Sequence, residues 1–109
     1  MGLLSNKEAI QKINSLLKMA DTKATSIINE ADAQYPNVDK IKADADVICI
    51  LMGEACDIAN SAGEEVINTS YSFYGEKRSF REITMMLAEL VKMCNDLYME
   101  SFKESLKCY

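Results

Sequence analysis

Apolar residues recur along the chain at alternating steps of three and four, in three long stretches. In the first, Ile10, Ile13, Leu17, Ala20, Ala24, Ile27 and Ala31 form an unbroken seam, widened by Leu16 and Ile28. This spacing keeps one face of a 3.6-residue helix apolar. Ser5-Asn6-Lys7-Glu8 precedes the seam as a capping box, in which hydroxyl and carboxylate satisfy orphan N–H groups reciprocally. Pro36 disfavours helical backbone at the residue before it, so the helix is expected to end near Tyr35.

The second stretch restarts after Pro36, capped by Asn37 or Asp39, with its stripe at Ile41, Ala45, Ile48, Met52, Ala55, Ala59 and Ala62. Val47-Ile48-Cys49-Ile50-Leu51-Met52 is apolar at every position. A helix apolar nearly all round is buried on several sides, which makes this one central to the bundle or part of an oligomer interface. Gly63 is a natural stop. Val66, Ser70 and Phe73 nevertheless continue the same period, so residues 64–74 read either as a separate helix or as a continuation. The third stretch opens on a second capping box, Ser79-Phe80-Arg81-Glu82. It carries Ile83, Leu87, Leu90, Cys94, Leu97 and Ser101 almost to the last residue.

These patterns predict an all-α fold over residues 1–109 as a single domain. It is an elongated antiparallel bundle of three long helices, or four if the second breaks at Gly63. The outer helices are each expected to span ~28 residues, or about 42 Å. One proline and four glycines are too few for the turns of an all-β fold. The alanines of the first two seams predict close helix approach. The uncovered apolar faces of the second helix predict a homo-oligomer, most simply a dimer.

Composition narrows the chemistry. The chain is 49% hydrophobic and 27% charged with a net charge of −5, ordinary for a globular protein and unfavourable for binding a nucleic-acid backbone. The longest apolar run is far short of a membrane span, and no basic segment leads an apolar stretch, so the expected location is the cytoplasm (of a host, if the chain is viral). Met1-Gly2-Leu3-Leu4-Ser5-Asn6 places its hydroxyl one position early for myristoylation. The chain has no histidine, which removes Ser-His-Asp and Cys-His catalysis and histidine-ligated zinc. Cys49, Cys56, Cys94 and Cys108 include no C-x-x-C pair, and a seven-residue spacing on one helix is roughly 10 Å, too far to bridge. They read as reduced thiols used as small apolar residues. Glu54 and Asp57 resemble half of the magnesium-binding pattern of all-α nucleoside-triphosphate pyrophosphohydrolases, but the second E-x-x-E is absent. No cofactor or metal is expected.

One segment stands apart. Residues 69–81 hold both arginines of the chain and four of its eight aromatics, and they lead into a helix N-terminus. Tyrosine and arginine concentrate at binding hot spots, and a helix N-terminus favours anions. The candidate contact residues are therefore Tyr71, Phe73, Tyr74, Lys77, Arg78 and Arg81. A structural reading competes with this one: Phe73 and Phe80 plug the end of the bundle while the arginines pair with Glu76 and Glu82. Met85, Met86, Met93 and Met99 suit irregular core filling better than a binding face, though flexible thioethers serve both. The expectation that follows is a non-enzymatic interaction protein, a small acidic bundle acting as adaptor or inhibitor of a larger protein, as phage-type antagonists of host defence do. The alternative is an oligomeric bundle that sequesters a small anionic molecule such as a nucleotide.

Overall fold

In the computed structural model, residues 5–107 are described; Met1 to Leu4, Cys108 and Tyr109 lie outside them. Four α-helices and one β-hairpin follow in the order α1 (Asn6–Ala31), α2 (Val38–Ala62), α3 (Glu64–Ile67), β1 (Ser70–Phe73), β2 (Glu76–Ser79) and α4 (Phe80–Lys107). The chain is a mostly all-α bundle, with α1, α2 and α4 as its three long members. It is elongated, about 56 × 28 × 17 Å.

Local signals account for most boundaries. The Ser5 hydroxyl caps α1, accepting from the Glu8 amide at 3.2 Å, and itself donates to the Glu8 carboxylate, which thus bonds the cap hydroxyl and not the cap N–H of a full capping box. Asn37, rather than Asp39, caps α2, accepting from the Lys40 amide at 3.1 Å. Ser79 caps α4 through the Glu82 amide, while the Glu82 carboxylate turns away to Arg78 instead of closing the box. α1 ends at Ala31, four residues before Tyr35. Tyr35 is 84% exposed, so no packing holds a last helical turn against the bias of Pro36.

The segment after Gly63 departs from the helical expectation. Gly63 adopts φ +102°, a conformation side-chain-bearing residues rarely take, and α2 stops there. One turn of α3 follows, and residues 70–79 then form an antiparallel hairpin with Tyr71 opposite Arg78 and Phe73 opposite Glu76. The reason is visible in Ser70-Tyr71-Ser72-Phe73, which alternates polar and apolar as a strand requires and is rich in aromatic and small hydroxyl residues that form helix poorly. Tyr74 and Gly75, with φ of 52° and 81°, make the two-residue turn whose twist matches paired strands. The helical period through Phe73 was a coincidence of spacing.

Packing places α2 in the middle, against both α1 and α4. Asn6 reaches Glu65 and Ser26 reaches Asp44, so α1 and α2 run antiparallel; Lys42 lies over the Tyr98 ring, so α2 and α4 do too. The core holds Ile13, Leu17, Ile41, Ile48, Ile83 and Leu87, with Ala20, Ala45, Ala55 and Ala59 allowing close approach. Asp44 is the buried charged residue among those described. Lys23 and Lys40 approach it at 3.4 and 3.6 Å, and the Ser26 hydroxyl donates to it at 3.0 Å. This cluster fixes the register of α1 on α2. The seam of α4 drifts: Val91 is buried where Leu90 is half-buried, and Leu97, Ser101 and Phe102 lie exposed.

Candidate functional site

The structure divides the six candidate contact residues. Tyr71 is 0% exposed, its hydroxyl donates to the Val66 carbonyl at 2.7 Å, and its ring meets Phe80 edge-on at 6.1 Å. Burial pushes this phenol above its ordinary pKa. Phe73 is buried as well. Tyr71 thus points inward and cannot touch a partner without unfolding the end of the bundle, whereas Phe73, though buried, borders the hollow described below.

Arg78 is equally occupied. Its Nε donates to the Phe73 carbonyl at 3.1 Å, Nη1 to Glu82 at 2.8 Å, and Nη2 lies 3.1 Å from Glu76. The pairing anticipated for the arginines with Glu76 and Glu82 is therefore made by Arg78 alone. The guanidinium staples strand β2 to the first turn of α4. Tyr74, Lys77 and Arg81 are exposed, but Tyr74 sits at the turn and donates its amide to Asp21 of α1 at 3.1 Å. Only Lys77 and Arg81 of the six present charged groups to solvent outside an ion pair among the described residues.

Apolar surface is exposed elsewhere. α2 packs on both neighbours, but α1 and α4 approach each other too sparsely to close the bundle. Between them runs a groove of two adjoining hollows that share Ile28 and Leu90. The first, about 220 Å³, is lined by Ala24, Phe73, Met86 and Leu87 and closed at one end by the hairpin turn. The second, about 340 Å³, is lined by Ile27, Ala31, Met93, Cys94 and Leu97, with Asp32 at its rim. Met93 is 67% exposed and Leu97 41%. Met85 and Met99 are also exposed, so of the four α4 methionines Met86 alone contributes to filling the interior.

Sequence reasoning missed this groove because the seam residues that line it are those assigned to the core. Spacing alone does not separate them from core positions. Beyond the groove, α4 runs on past the start of α2, so Phe102 and Leu106 have no part of α2 opposite them. In the run 47–52 of α2, which motivated a dimer, Ile48 and Leu51 are buried and Val47 and Met52 half-buried, while Cys49 and Ile50, the latter 62% exposed, face outward.

Cys49, Cys56 and Cys94 are free thiols, and burial pushes Cys56 and Cys94 above the ordinary thiol range, with nearby Asp57 and Asp44 adding to it. Protonated thiols are poor nucleophiles. Glu54 and Asp57 are exposed on α2, and among the described residues no three acidic or cysteine side chains gather as metal ligands would. Among these residues no helix is long and apolar enough to cross a membrane. Set against known protein families, curated proteins and solved structures, the chain has no significant match to any of them.

Proposed function

We propose that the protein is a non-enzymatic interaction module, adapting or inhibiting a larger protein, and that it grips that partner in the α1–α4 groove. The observation that carries this reading is the groove itself: two apolar hollows joined at Ile28 and Leu90 and open to solvent along one side of the bundle. Leaving such a surface wet forfeits about 25 cal/mol per Å² of apolar area that a partner would cover. Flexible methionines at its edge suit a surface that must fit another protein.

The hairpin has a supporting part in this reading. It closes one end of the groove and holds α4 in place through Tyr71 and Arg78. Sequestration of a small anion is less well supported, because the arginine best placed to clamp one already faces two carboxylates.

Native mass spectrometry of the protein isolated from its own host tests the reading. The expected result is a complex with a second, larger protein, which the double change Met93→Glu with Leu97→Glu removes while the helical circular-dichroism signal stays unchanged. Retention of the same partner by that variant would place the contact elsewhere.

A further inference from the structure

We infer that the groove receives an amphipathic α-helix with basic residues along its flanks. The inference rests on the groove as the contact surface and adds the chemistry of its occupant.

Shape argues for a helix. The α4 wall runs from Met86 to Leu97, about 16 Å at 1.5 Å per residue, or three helical turns. α1 forms the opposite wall and α2 the floor, so a fourth rod laid over them completes the layer of helices that α1 and α4 leave open. An occupant with apolar anchors every third or fourth residue would meet Leu90, Met93 and Ile28 in turn.

Charge argues for basic flanks. Glu89 stands three residues after Met86 and four before Met93, and Glu100 stands three after Leu97, so both lie along the groove edge of α4. Asp32 lines the rim from α1, and Asp21 lies on the same side of that helix, by the hairpin turn. Glu89, Glu100 and Asp32 enter no ion pair among the described residues. Lys92, three residues beyond Glu89, is paired with Asp96 at 3.5 Å. A rim of unpaired carboxylates around an apolar floor is complementary to lysine or arginine flanking an apolar stripe. It is also a poor fit to a second copy of this chain, whose own groove edges would bring carboxylate against carboxylate.

Fluorescence anisotropy with two labelled helical peptides of ~15 residues tests this on the full chain. Both carry leucines every third or fourth residue; one has lysine and arginine on its flanks and its twin has glutamate there. The basic peptide is expected to bind at least ~10-fold tighter, with the margin shrinking as salt rises from ~0.05 to ~0.5 M. Glu89→Lys with Glu100→Lys should abolish or invert the preference, and Met93→Glu should weaken the basic peptide at least ~10-fold. All these positions are exposed, so an unchanged thermal melt confirms that each variant is folded. Equal binding of the twins, tighter binding of the acidic one, or no binding of either overturns the inference and leaves the groove as a contact surface for another kind of element. Binding of the basic peptide that survives Met93→Glu overturns the inference and the groove reading together. A concentration-dependent dimer in sedimentation equilibrium that Met93→Glu dissolves names a second copy as the occupant and overturns the inference too.

Discussion

The two ends of α4 carry the same kind of apolar spacing and meet opposite fates. At its start, Phe80, Ile83 and Leu87 are buried under the hairpin and against α2. Toward its end, Leu97, Phe102 and Leu106 are exposed, at the far side of an open groove. Periodicity therefore specifies which face of a helix is apolar, while the lengths and offsets of neighbouring elements decide whether that face is covered. At the hairpin end the cover is intramolecular; at the other end the same face is left for something else.

The sharpest way to break this contrast is at the root of the hairpin. Tyr71→Ala removes a fully buried aromatic and its hydroxyl bond, and should cost ~3–5 kcal/mol in urea unfolding. A loss under ~1 kcal/mol would show that the hairpin end is no more closed than the other. Next come two alanines that sequence alone treats alike. Ala55 is buried in the α2 core, and Ala55→Leu should cost ~1–3 kcal/mol by overpacking. Ala24 lines the first hollow of the groove, so Ala24→Leu has room and should cost under ~1 kcal/mol while weakening anything that docks there. Equal costs for the two would mean that the hollow is not available space.

At the hairpin turn, Gly75 has φ +81°, and Gly75→Ala should cost ~1 kcal/mol from backbone strain alone, since open space surrounds the position. The closed region also has a pH signature. Burial raises Tyr71, Cys94 and Cys56 above their ordinary values, so the folded chain holds these protons more tightly than the unfolded one. That contribution is whole below about pH 9 and is lost as pH rises through the raised folded values. The urea midpoint should therefore fall above about pH 9, and Tyr71→Phe should flatten the part of the decline above about pH 10. A midpoint level to pH ~11 contradicts this. Smallest of all, Leu97→Ser at the open end should stay within ~0.5 kcal/mol of the parent, because the residue has little packing to lose. A loss above ~2 kcal/mol would mean that α4 is packed there after all.

Much of this architecture is legible in the residues. Ser5, Asn37 and Ser79 each start a helix where a hydroxyl or amide side chain stands ahead of an apolar stripe. Ile13, Leu17, Ile48 and Leu87 are buried where the stripes place them. The hairpin was legible only at short range, in the alternation of Ser70 to Phe73 and the Tyr74-Gly75 turn, and a helical period running through the same residues masked it. The candidate site divided along the same line. Tyr71, Phe73 and Arg78 are conspicuous by residue type, but a buried tyrosine with a bonded hydroxyl and an arginine with two carboxylates use up the groups that composition advertises. The groove depends on how α1 and α4 are offset across α2. That offset is a tertiary quantity, and no local pattern in either helix encodes it.

The length of the bundle has a practical consequence for weighing it. Its radius of gyration is 16.2 Å, against about 13 Å for a compact chain of this size. The excess comes from the ends of the rod, which weigh more in the radius of gyration than in friction. A single copy in a sizing column therefore leaves ahead of a globular standard of its own mass but short of the dimer position. Elution volume read against globular standards overstates the mass of this chain. Sedimentation equilibrium, which is indifferent to shape, tells one copy from two.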